Sequence, residues 1–430
     1  MNVAIISMGS QGDVQPYLAL GAALRGAGHA VRLVTHENFG AAARANDLDF
    51  WPVRGNVQEV AQSPEMRDLL EKGNFLKINQ YTAKLARTLA VDWAQNALKA
   101  TKDVQLLIAG IGGLFLAHAL SEKLGVPLIE SYVVPFTPTR EFPHPLVPTN
   151  APKLVGLANR LTYHAVQQVM WQSSRAGDRL ARRQILGLPA APFFGPRRRN
   201  KWKEWPEPPV LYGVSSSVIP KPADWDAHVH VTGYWFLEPQ TNWQPPASLQ
   251  DFLQTGSPPV YIGFGSMSNR DPEETTDLVL EALKRTGQRA VLLKGWSGLT
   301  HEAPPDNVYL SGAVPHSWLF SRTAAVIHHG GAGTTAAGLR AGVPSVIIPF
   351  FGDQPFWGRR VKELGVGPAP MPRKTLTAEG LAQAIQTAVT DGEMRRKAAR
   401  LGAAIREENG LQNAVSIIEA YGKRANLKGP

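Results

Sequence analysis

The chain has 430 residues, 43% of them apolar and 19% charged, and it contains no cysteine. Its length predicts two or three domains, because single cores stop growing beyond roughly 250–300 residues, and its apolar content excludes disorder of the whole chain. Without cysteine it has no disulfide, thiolate metal site or thiol nucleophile, while a net charge of +10 favours a polyanionic small molecule, an anionic membrane surface or nucleic acid as partner.

The first residues predict a buried strand rather than a targeting segment. No basic region precedes the apolar run over 1–8, which is too short for a signal peptide. Residues 104–121 carry no Asp, Glu, Lys or Arg and approach the length of a membrane span, but Gly110, Gly112 and Gly113 divide them into strand, turn and helix. We therefore expect a soluble, cytoplasmic protein that could touch a membrane from one side.

Short apolar runs alternate with helical patterns in the first half of the chain. The predicted strands cover 3–7, 30–35, 106–109 and 128–133, and the predicted helices cover 17–27, 114–124 and 158–186. Continuously apolar strands separated by helices are typical of a parallel sheet covered on both faces.

Pro and Trp are dense between 195 and 250, which indicates a domain boundary, and we place the linker at 236–256. The second alternation predicts strands over 260–264, 290–294, 324–328 and 345–349, and helices over 273–286, 333–341 and most of 377–421. The pattern predicts two α/β domains, over 1–235 and 257–410. A C-terminal helix over 411–430 could pack back on the first.

The densest chemical signal is HHGGAGTT at 328–335, between a predicted strand and a predicted helix. Glycines there allow backbone N–H groups to approach an anion, and the helix N-terminus adds about half a positive charge. These features are typical of a diphosphate cradle, although a glycine-rich turn with capping threonines is an alternative. No Lys follows the glycines and G-x-G-x-x-G is absent, which disfavours ATPase and dinucleotide sites.

Two polar motifs follow other predicted strands. Asp353 and Gln354 lie after the strand over 345–349, where α/β proteins bind ligands, and they suit the hydroxyls of a sugar as well as they suit a solvated loop. Asp13 lies after the first strand, where it is either a general base or an acidic residue at a helix N-terminus.

The motifs resemble the GT-B glycosyltransferases that use nucleotide sugars, in the branch of the sterol 3-β-glucosyltransferases and the bacterial antibiotic and glycolipid glycosyltransferases. The resemblance rests on GSQGDVQPYLALG at 9–21, PPVYIGFGSM at 258–267, KGWSGL at 294–299 and a long block over 314–367. It implies two Rossmann-like domains facing each other across a cleft. The implied reaction is an inverting transfer of a sugar, glucose from UDP-glucose in the first instance, to a hydroxyl of an apolar acceptor such as a sterol, terpenoid, polyketide or flavonoid.

The resemblance also implies site residues. Asp13 replaces the His of the wider family's Gly-His-x-x-Pro motif and would accept the proton of the acceptor hydroxyl. The implied donor-binding residues are Ser10, Gly12, Ser266, Trp296, Val314, His329, Gly331, Ala332, Gly333, Thr334, Asp353 and Gln354. The glycine turn and the serines would hold the diphosphate, Val314 and Trp296 the nucleotide base, and Asp353 and Gln354 the sugar. Ala313 stands where plant-type members have a base-stacking Trp. The resemblance implies a UDP-sugar co-substrate, with neither a metal nor another cofactor.

Other functions remain open. They are a dTDP- or UDP-deoxysugar transferase, a catalytically silent nucleotide-sugar-binding module, and an epimerase or phosphorylase of the same architecture. Asp224-Trp225-Asp226 matches the D-x-D metal motif of the other main glycosyltransferase fold, but its Pro- and Trp-rich surroundings predict a surface loop.

The positive charge is concentrated between Trp171 and Trp205, where nine Lys and Arg residues face two acidic ones. This window predicts either a solvated helix and loop or a contact with anionic lipid headgroups. Nucleic acid is the least favoured partner, because no nucleic-acid motif accompanies the charge. We expect the acceptor pocket to come from the apolar segments 75–81, 133–142 and 158–171.

Overall fold

A computed structural model describes residues 1–56, 59–60, 63–72, 75–147, 155–196, 205–239, 243–264, 272–294 and 304–427. The chain divides into two compact units. The first comprises Met1–Val57, Phe75–Leu237 and Asn409–Pro430, and the second comprises Gln58–Asn74 and Glu238–Glu408. The short stretch over 58–74 groups with the second unit by its contacts, although the sequence interpretation placed it in the first domain.

A seven-stranded sheet forms the centre of the first unit, with the order β3-β2-β1-β4-β5-β6-β7 and parallel pairing throughout. Its strands are β1 (Asn2–Ile6), β2 (Ala30–His36), β3 (Asp49–Val53), β4 (Leu106–Ala109), β5 (Leu128–Tyr132), β6 (Val210–Tyr212) and β7 (Val229–Val231). The helices before β7 are α1 (Gln11–Gly26), α2 (Gly40–Ala45), α3 (Pro64–Lys72), which belongs to the second unit, α4 (Phe75–Ala100), α5 (Leu114–Leu124) and α6 (Leu157–Ala181).

Successive side chains of a strand point to opposite faces of a sheet. In the central strands of this sheet both sets of side chains are apolar, so both faces are buried. Val3 and Ile5 pack into a core with α1, whereas Ala4 and Ile6 pack into a core with α4 and α5. The last helix of the chain, over Gly410–Arg424, closes the first of these cores. A Cβ on Gly410 would lie 2.4 Å from the Tyr234 carbonyl oxygen, so this helix packs directly on the backbone.

The second unit contains a five-stranded parallel sheet with the order β10-β9-β8-β11-β12. Its strands are β8 (Val260–Gly263), β9 (Ala290–Leu293), β10 (Val308–Ser311), β11 (Ala325–His328) and β12 (Ser345–Ile347). The remaining helices are α7 (Ala247–Gln254), α8 (Pro272–Thr286), α9 (His316–Leu319), α10 (Ala332–Ala341), α11 (Gln354–Glu363), α12 (Ala378–Thr390), α13 (Gly392–Glu407) and, in the first unit, α14 (Gly410–Arg424).

Two parallel sheets flanked by helices confirm the predicted α/β class. Among the helices of the described ranges, none combines the length and the apolarity needed to cross a bilayer. In the second unit, every motif that the sequence singled out follows the carboxyl end of a strand, which is the edge where open parallel sheets bind ligands.

Candidate active site

The glycine-rich turn joins β11 to α10, and close packing determines its residues. Gly330 has a φ of +88°, in the left-handed region, and a Cβ there would lie 2.6 Å from Cγ2 of Ile347. A Cβ on Gly331 would lie 2.5 Å from Nε2 of His329. Gly331 is the N-cap of α10, so the N–H groups over 332–334 have no acceptor within the helix. The turn therefore has backbone donors that could meet an anion, and its predicted role as a diphosphate site stays a prediction.

Two adjacent histidines end β11. His328 is buried, and its Nδ1 accepts a hydrogen bond of 3.1 Å from the N–H of Gly330. His329 is half-buried, and no described residue is a hydrogen-bond partner of its buried Nδ1. Burial, assisted by the nearby His316, lowers the pKa of His329 to about 4. The imidazole is therefore neutral at pH 7 and has one N–H to donate beside the turn.

Sequence reasoning missed His316, which lies at the start of α9. Its ring stacks on Phe320 with 4.4 Å between the ring centroids, and burial lowers its pKa to about 4. His316 is therefore neutral at pH 7, and it lies close enough to His329 to lower the pKa of that histidine. Its position in the block over 314–367, on which the family resemblance rests, was the available signal.

Asp353 and Gln354 lie beside the glycine turn, because β11 and β12 are neighbours and end at the same edge. A Cβ on Gly330 would lie 3.2 Å from the carbonyl oxygen of Gln354. The buried side chain of Gln354 accepts hydrogen bonds at Oε1 from the N–H groups of Phe350 (2.7 Å) and Phe351 (3.2 Å). The side-chain Oε1 of Gln354 therefore holds the backbone of this loop in place.

Asp353 is the N-cap residue of α11 and is partly buried. Its Oδ2 accepts a 2.7 Å hydrogen bond from the indole N–H of Trp357. This contact orients the carboxylate at the carboxyl edge of the sheet. The structure thus places Asp353 next to the residue that contacts the glycine-rich turn.

The remaining donor-binding predictions fall on other strands of the same sheet. Val314 follows β10, is partly buried and packs against the core of the second unit. Ser266 and Trp296 follow β8 and β9 along the chain, but both lie outside the described residues. Of the predicted donor-binding set in this unit, the structure therefore brings together His329, the turn over 331–334 and the pair over 353–354.

Asp13 lies in the first turn of α1, where the sequence offered two interpretations. Its Oδ2 accepts hydrogen bonds from the N–H and the Oγ of Ser10, both at 2.8 Å. Ser10 is the N-cap residue, so the two form a capping box. Gly9 makes room for it: with φ at +143°, a Cβ there would lie 2.5 Å from Asp13 Oδ2.

Asp13 can do more than cap α1. The residue is exposed, and in the described part of the chain no group donates a hydrogen bond to Oδ1. Desolvation by the surrounding protein raises the pKa of Asp13 above its ordinary value, and the two hydrogen bonds from Ser10 oppose that rise. The carboxylate is thus fixed at one oxygen, open at the other and more basic than a free aspartate.

Ser10 and Gly12, predicted to contact the donor, lie in this same capping turn. The hydroxyl proton of Ser10 is committed to Asp13, so the side chain offers only its acceptor lone pairs to a ligand. Gly12 is partly exposed, and a Cβ there would meet nothing closer than Ser10 Oγ at 3.8 Å.

A cavity of about 560 Å³ opens in the first unit, between α5, α6 and the strands β5 and β6. This volume lies within the range of small-molecule sites. Two of the three segments expected to form an acceptor pocket line it, through Phe136 to Pro138 and through α6 between His164 and Trp171. Of the segment over 75–81, the side chains that the structure describes (77, 78, 80 and 81) are not among the lining residues.

About half of the residues that line the cavity are aromatic or aliphatic, and the polar ones include Glu130 and three histidines. Glu130 accepts a 2.6 Å hydrogen bond from the Tyr132 hydroxyl and forms an ion pair of 3.3 Å with His118. Since β5 is the second strand from β1 in the sheet, the two strands are about 10 Å apart. The cavity lies on the face of the sheet that α5 covers, whereas α1 packs on the opposite face.

The D-x-D sequence is a structural loop. Asp224 accepts hydrogen bonds from Thr139 Oγ1 (2.6 Å) and the N–H of Arg140 (2.9 Å), and Trp225 stacks on Tyr212. Within the described ranges, no group of His, Asp and Glu side chains has the arrangement to hold a metal ion.

The basic window over 171–205 is only partly surface. Trp171 is 1% exposed, and Arg182 is 2% exposed and forms ion pairs with Asp178 and Glu122, so neither side chain reaches a partner outside the protein. Trp205 is partly buried and packs against the core that contains Val3 and Ile5. The five basic residues between 197 and 203 lie outside the described residues.

Two protein-family models match the chain. The glycosyltransferase family 28 N-terminal domain matches residues 3–143, and the C-terminal domain of erythromycin biosynthesis protein CIII-like proteins matches residues 278–420.

Curated relatives match nearly the whole chain. The sterol 3-beta-glucosyltransferases UGT80B1 and UGT80A2 of Arabidopsis thaliana are 38% and 36% identical over 98% and 96% of it, which corresponds to 68% and 64% of their own lengths. The sterol 3-beta-glucosyltransferase of Emericella nidulans is 37% identical over 97% of the chain and 30% of its own length. The chain thus spans about two thirds of the plant relatives and a third or less of the fungal ones compared.

Solved structures share the fold at low sequence identity. The glycotransferase of kitacinnamycin aligns with a TM-score of 0.68 at 19% identity over 98% of both chains. The spinosyn rhamnosyltransferase SpnG complexed with thymidine diphosphate aligns with a TM-score of 0.65 at 18% identity, over 97% of this chain and all of the other.

Proposed function

Because the chain belongs to the family of GT-B glycosyltransferases that includes the sterol 3-beta-glucosyltransferases, we propose that it transfers glucose from UDP-glucose to the hydroxyl group of a sterol or a similar apolar alcohol. The observation that carries the proposal is the carboxylate of Asp13, which Ser10 holds at one oxygen while the other oxygen is open.

Asp13 is the proposed general base. The acceptor oxygen attacks the anomeric carbon from the side opposite the diphosphate, the bond from that carbon to the diphosphate breaks, and Oδ1 of Asp13 takes the hydroxyl proton. The raised pKa of Asp13 improves the match to this task, because a general base works best when its pKa approaches the working pH. The configuration at the anomeric carbon is inverted.

The turn over 330–334 is the proposed diphosphate site. The departing UDP gains negative charge in the transition state, and N–H groups already oriented at the start of α10 stabilise it without rearrangement. Neutral His329 adds one further donor. Asp353 lies beside the turn and is the proposed contact to the sugar hydroxyls, with Gln354 holding the loop in shape. No step requires a metal.

The cavity in the first unit is the proposed acceptor site. Its volume of about 560 Å³ is adequate for a tetracyclic alcohol, and the aromatic side chains Phe115, Phe136 and Trp171 favour a rigid apolar skeleton. Peripheral contact with a membrane stays part of the proposal, since a sterol is dissolved in bilayers rather than in water.

A donor-by-acceptor screen read by mass spectrometry tests the proposal. We expect a hexose adduct of a sterol with UDP-glucose, and free UDP only when the alcohol is present, which separates transfer from epimerase or phosphorylase chemistry. A product with a dTDP-deoxysugar and not with UDP-glucose would support the rhamnosyl-type alternative. The absence of any product, with UDP still bound, would support a silent binding module.

The role of Asp13 is tested by Asp13→Asn, with Asp391→Asn as the matched control. Asp391 caps α13 in the second unit by accepting from the N–H groups of Glu393 and Met394, so its replacement by Asn removes the negative charge of another carboxylate at a helix start and keeps an acceptor oxygen. We expect Asp13→Asn to lower kcat by about a hundredfold or more while UDP binding is kept, and Asp391→Asn to leave kcat unchanged. Turnover retained by Asp13→Asn would refute the assigned role.

A further inference from the structure

The exposed large apolar side chains of the described ranges all lie on one stretch of the first unit. They are Val155, Leu157, Leu161, Val169, Phe193 and Phe194. Their exposed fractions run from 37% at Val169 to 76% at Val155. Apolar side chains scattered singly need no explanation, but the concentration of all six on α6, just before it, and on the loop beside it points to an interaction surface.

The cluster is built on α6 and on the loop that returns beside it. Leu157 and Leu161 lie one turn apart on the same side of the helix, and Arg175 falls on that side two heptads after Leu161. We call this side of α6, with the Phe193-Phe194 pair, the apolar-basic face.

The loop that carries the two phenylalanines is fastened to α6. The carbonyl oxygen of Phe193 accepts hydrogen bonds from Trp171 Nε1 at 2.9 Å, from Gln172 Nε2 at 2.8 Å and from Gln168 Nε2 at 3.3 Å. The two phenylalanine rings lie 5.2 Å apart, and the guanidinium of Arg175 sits 5.1 Å from the Phe193 ring. The exposed rings are therefore held in place by a built contact.

The exposed charges on this helix are all positive. Arg160, Arg175 and Arg179 are its Lys and Arg residues, and all three are exposed. Asp178 is its one acidic residue, and the buried Arg182 pairs with it. An exposed apolar cluster with guanidinium groups and no opposing surface carboxylate on the same helix complements an anionic lipid surface, into which apolar side chains insert while arginines meet headgroups.

The apolar-basic face continues into the cavity. Phe194 is 75% exposed and also lines the cavity, and Gln168 both lines it and holds the carbonyl of Phe193. A molecule that leaves a bilayer at this face would meet the cavity wall directly.

We propose that the apolar-basic face docks on anionic lipid bilayers and that the acceptor enters the cavity from the bilayer without passing through bulk water. The identity of the acceptor rests on the proposed function, whereas the docking does not. Trp171 and Arg182 belong to the basic window over 171–205 but are buried, so they do not meet lipid. The apolar-basic face is the part of the protein that does.

Vesicle co-sedimentation with the full chain tests the docking. The vesicles contain phosphatidylcholine alone or with about 30% phosphatidylserine. The apolar variant is Leu157→Ser/Leu161→Ser, whose residues are exposed and do not line the cavity. The charge variant is Arg175→Glu/Arg179→Glu, and its matched control is Arg395→Glu/Arg396→Glu on the exposed side of α13, with the same change in net charge.

We expect the wild type to prefer the anionic vesicles, the apolar variant to bind them roughly tenfold more weakly or worse, and the charge variant to lose the preference. The control should bind like the wild type. With sterol supplied in vesicles, the apolar variant should turn over slowly, whereas with sterol supplied as a cyclodextrin complex it should match the wild type.

Equal vesicle binding by the wild type and the apolar variant would overturn the proposal. So would a wild-type dimer that the apolar variant converts to monomer without any vesicle binding, because the face would then be an interface between copies. If no sterol product forms but the vesicle results hold, the proposed function fails and the docking stands. If sterol is glucosylated and vesicle binding is absent, the docking fails alone.

Discussion

Ser10 is predicted to set both the position and the basicity of Asp13. Its N–H and its Oγ each donate to Oδ2 of Asp13 at 2.8 Å, and these bonds lower the pKa of the carboxyl against the rise that desolvation causes. Ser10→Ala removes the interactions of Oγ in the capping box and keeps the bond from the Ser10 N–H. The pKa of Asp13 should therefore rise, because the charged carboxylate loses a donor and the protonated form does not.

The magnitude follows from the cap. Replacing an N-cap serine by alanine costs about 1 kcal/mol of stability, and one pKa unit corresponds to about 1.4 kcal/mol of difference between the charged and protonated forms. Because Asp13 is exposed and solvent screens the bond, we expect the acidic limb of kcat/KM against pH to move upward by less than about one unit. The free energy of unfolding should fall by about 1 kcal/mol at pH 7.

The assay is a pH profile of sterol glucosylation at subsaturating acceptor, together with denaturant unfolding of each variant. Ser10→Thr keeps a hydroxyl and is the matched control, so its acidic limb should stay close to that of the wild type. If the limb of Ser10→Ala does not move, or moves to lower pH, the assignment of Asp13 as the titrating base is refuted.

Two further predictions concern the second unit and the buried ion pairs. His329 has a pKa of about 4 without ligand, and a bound diphosphate favours its charged form. UDP affinity, measured by calorimetry, should therefore increase more between pH 7 and pH 5 in the wild type than in His329→Gln. Equal increases would show that His329 does not contact the anion. Arg182→Met should lower the free energy of unfolding by about 3–5 kcal/mol, because it leaves the buried carboxylate of Asp178 unpaired. Burial already raises the pKa of Asp178, so this loss should shrink as the pH falls and the carboxyl is protonated; a loss below about 1 kcal/mol in urea unfolding at pH 7 would contradict a stabilising role for the pair.

Continuous apolar runs made the central strands predictable. β1, β4 and β5 were each expected within a residue or two of their bounds, because buried parallel strands have no polar face. β3 was missed since its sequence DFWPV contains proline and is half-exposed, and β6 was missed because three residues carry no pattern. Edge strands and short strands form because they pair with the rest of the sheet, so their own sequences do not predict them.

The first residue of α1 could have been predicted from the capping-box spacing, but the sequence prediction did not use it. The sequence prediction began the helix at Tyr17, after Pro16, whereas the helix begins at Gln11. Ser10 and Asp13 are three residues apart, which is the spacing of a capping box, whereas Pro16 lies inside the helix, where its missing N–H costs one backbone hydrogen bond. The same spacing would have predicted the fixed position of the carboxylate.

Within the site, the sequence identified residue types and the structure supplied their neighbours. The convergence of the glycine turn with Asp353 was implied by consecutive parallel strands, but the engagement of Gln354 Oε1 with the loop backbone was not. The burial of Trp171 could not be read from the charge around it, because only its packing against Phe115 and Gly195 turns it inward. The exposed Phe193-Phe194 pair lay in the same window without being singled out.

The packing of α14 on the first unit has a consequence for synthesis. This unit is assembled from both ends of the chain, since Asn413 on α14 donates to the carbonyl oxygen of Thr232 at 2.9 Å, and Ile418 and Tyr421 fill the core beside Ile5. During translation the ribosome releases the second unit up to Glu408 before this helix emerges. The core that contains Ile5 therefore cannot close until residues 410–424 have left the ribosome, after the whole of the second unit has been made.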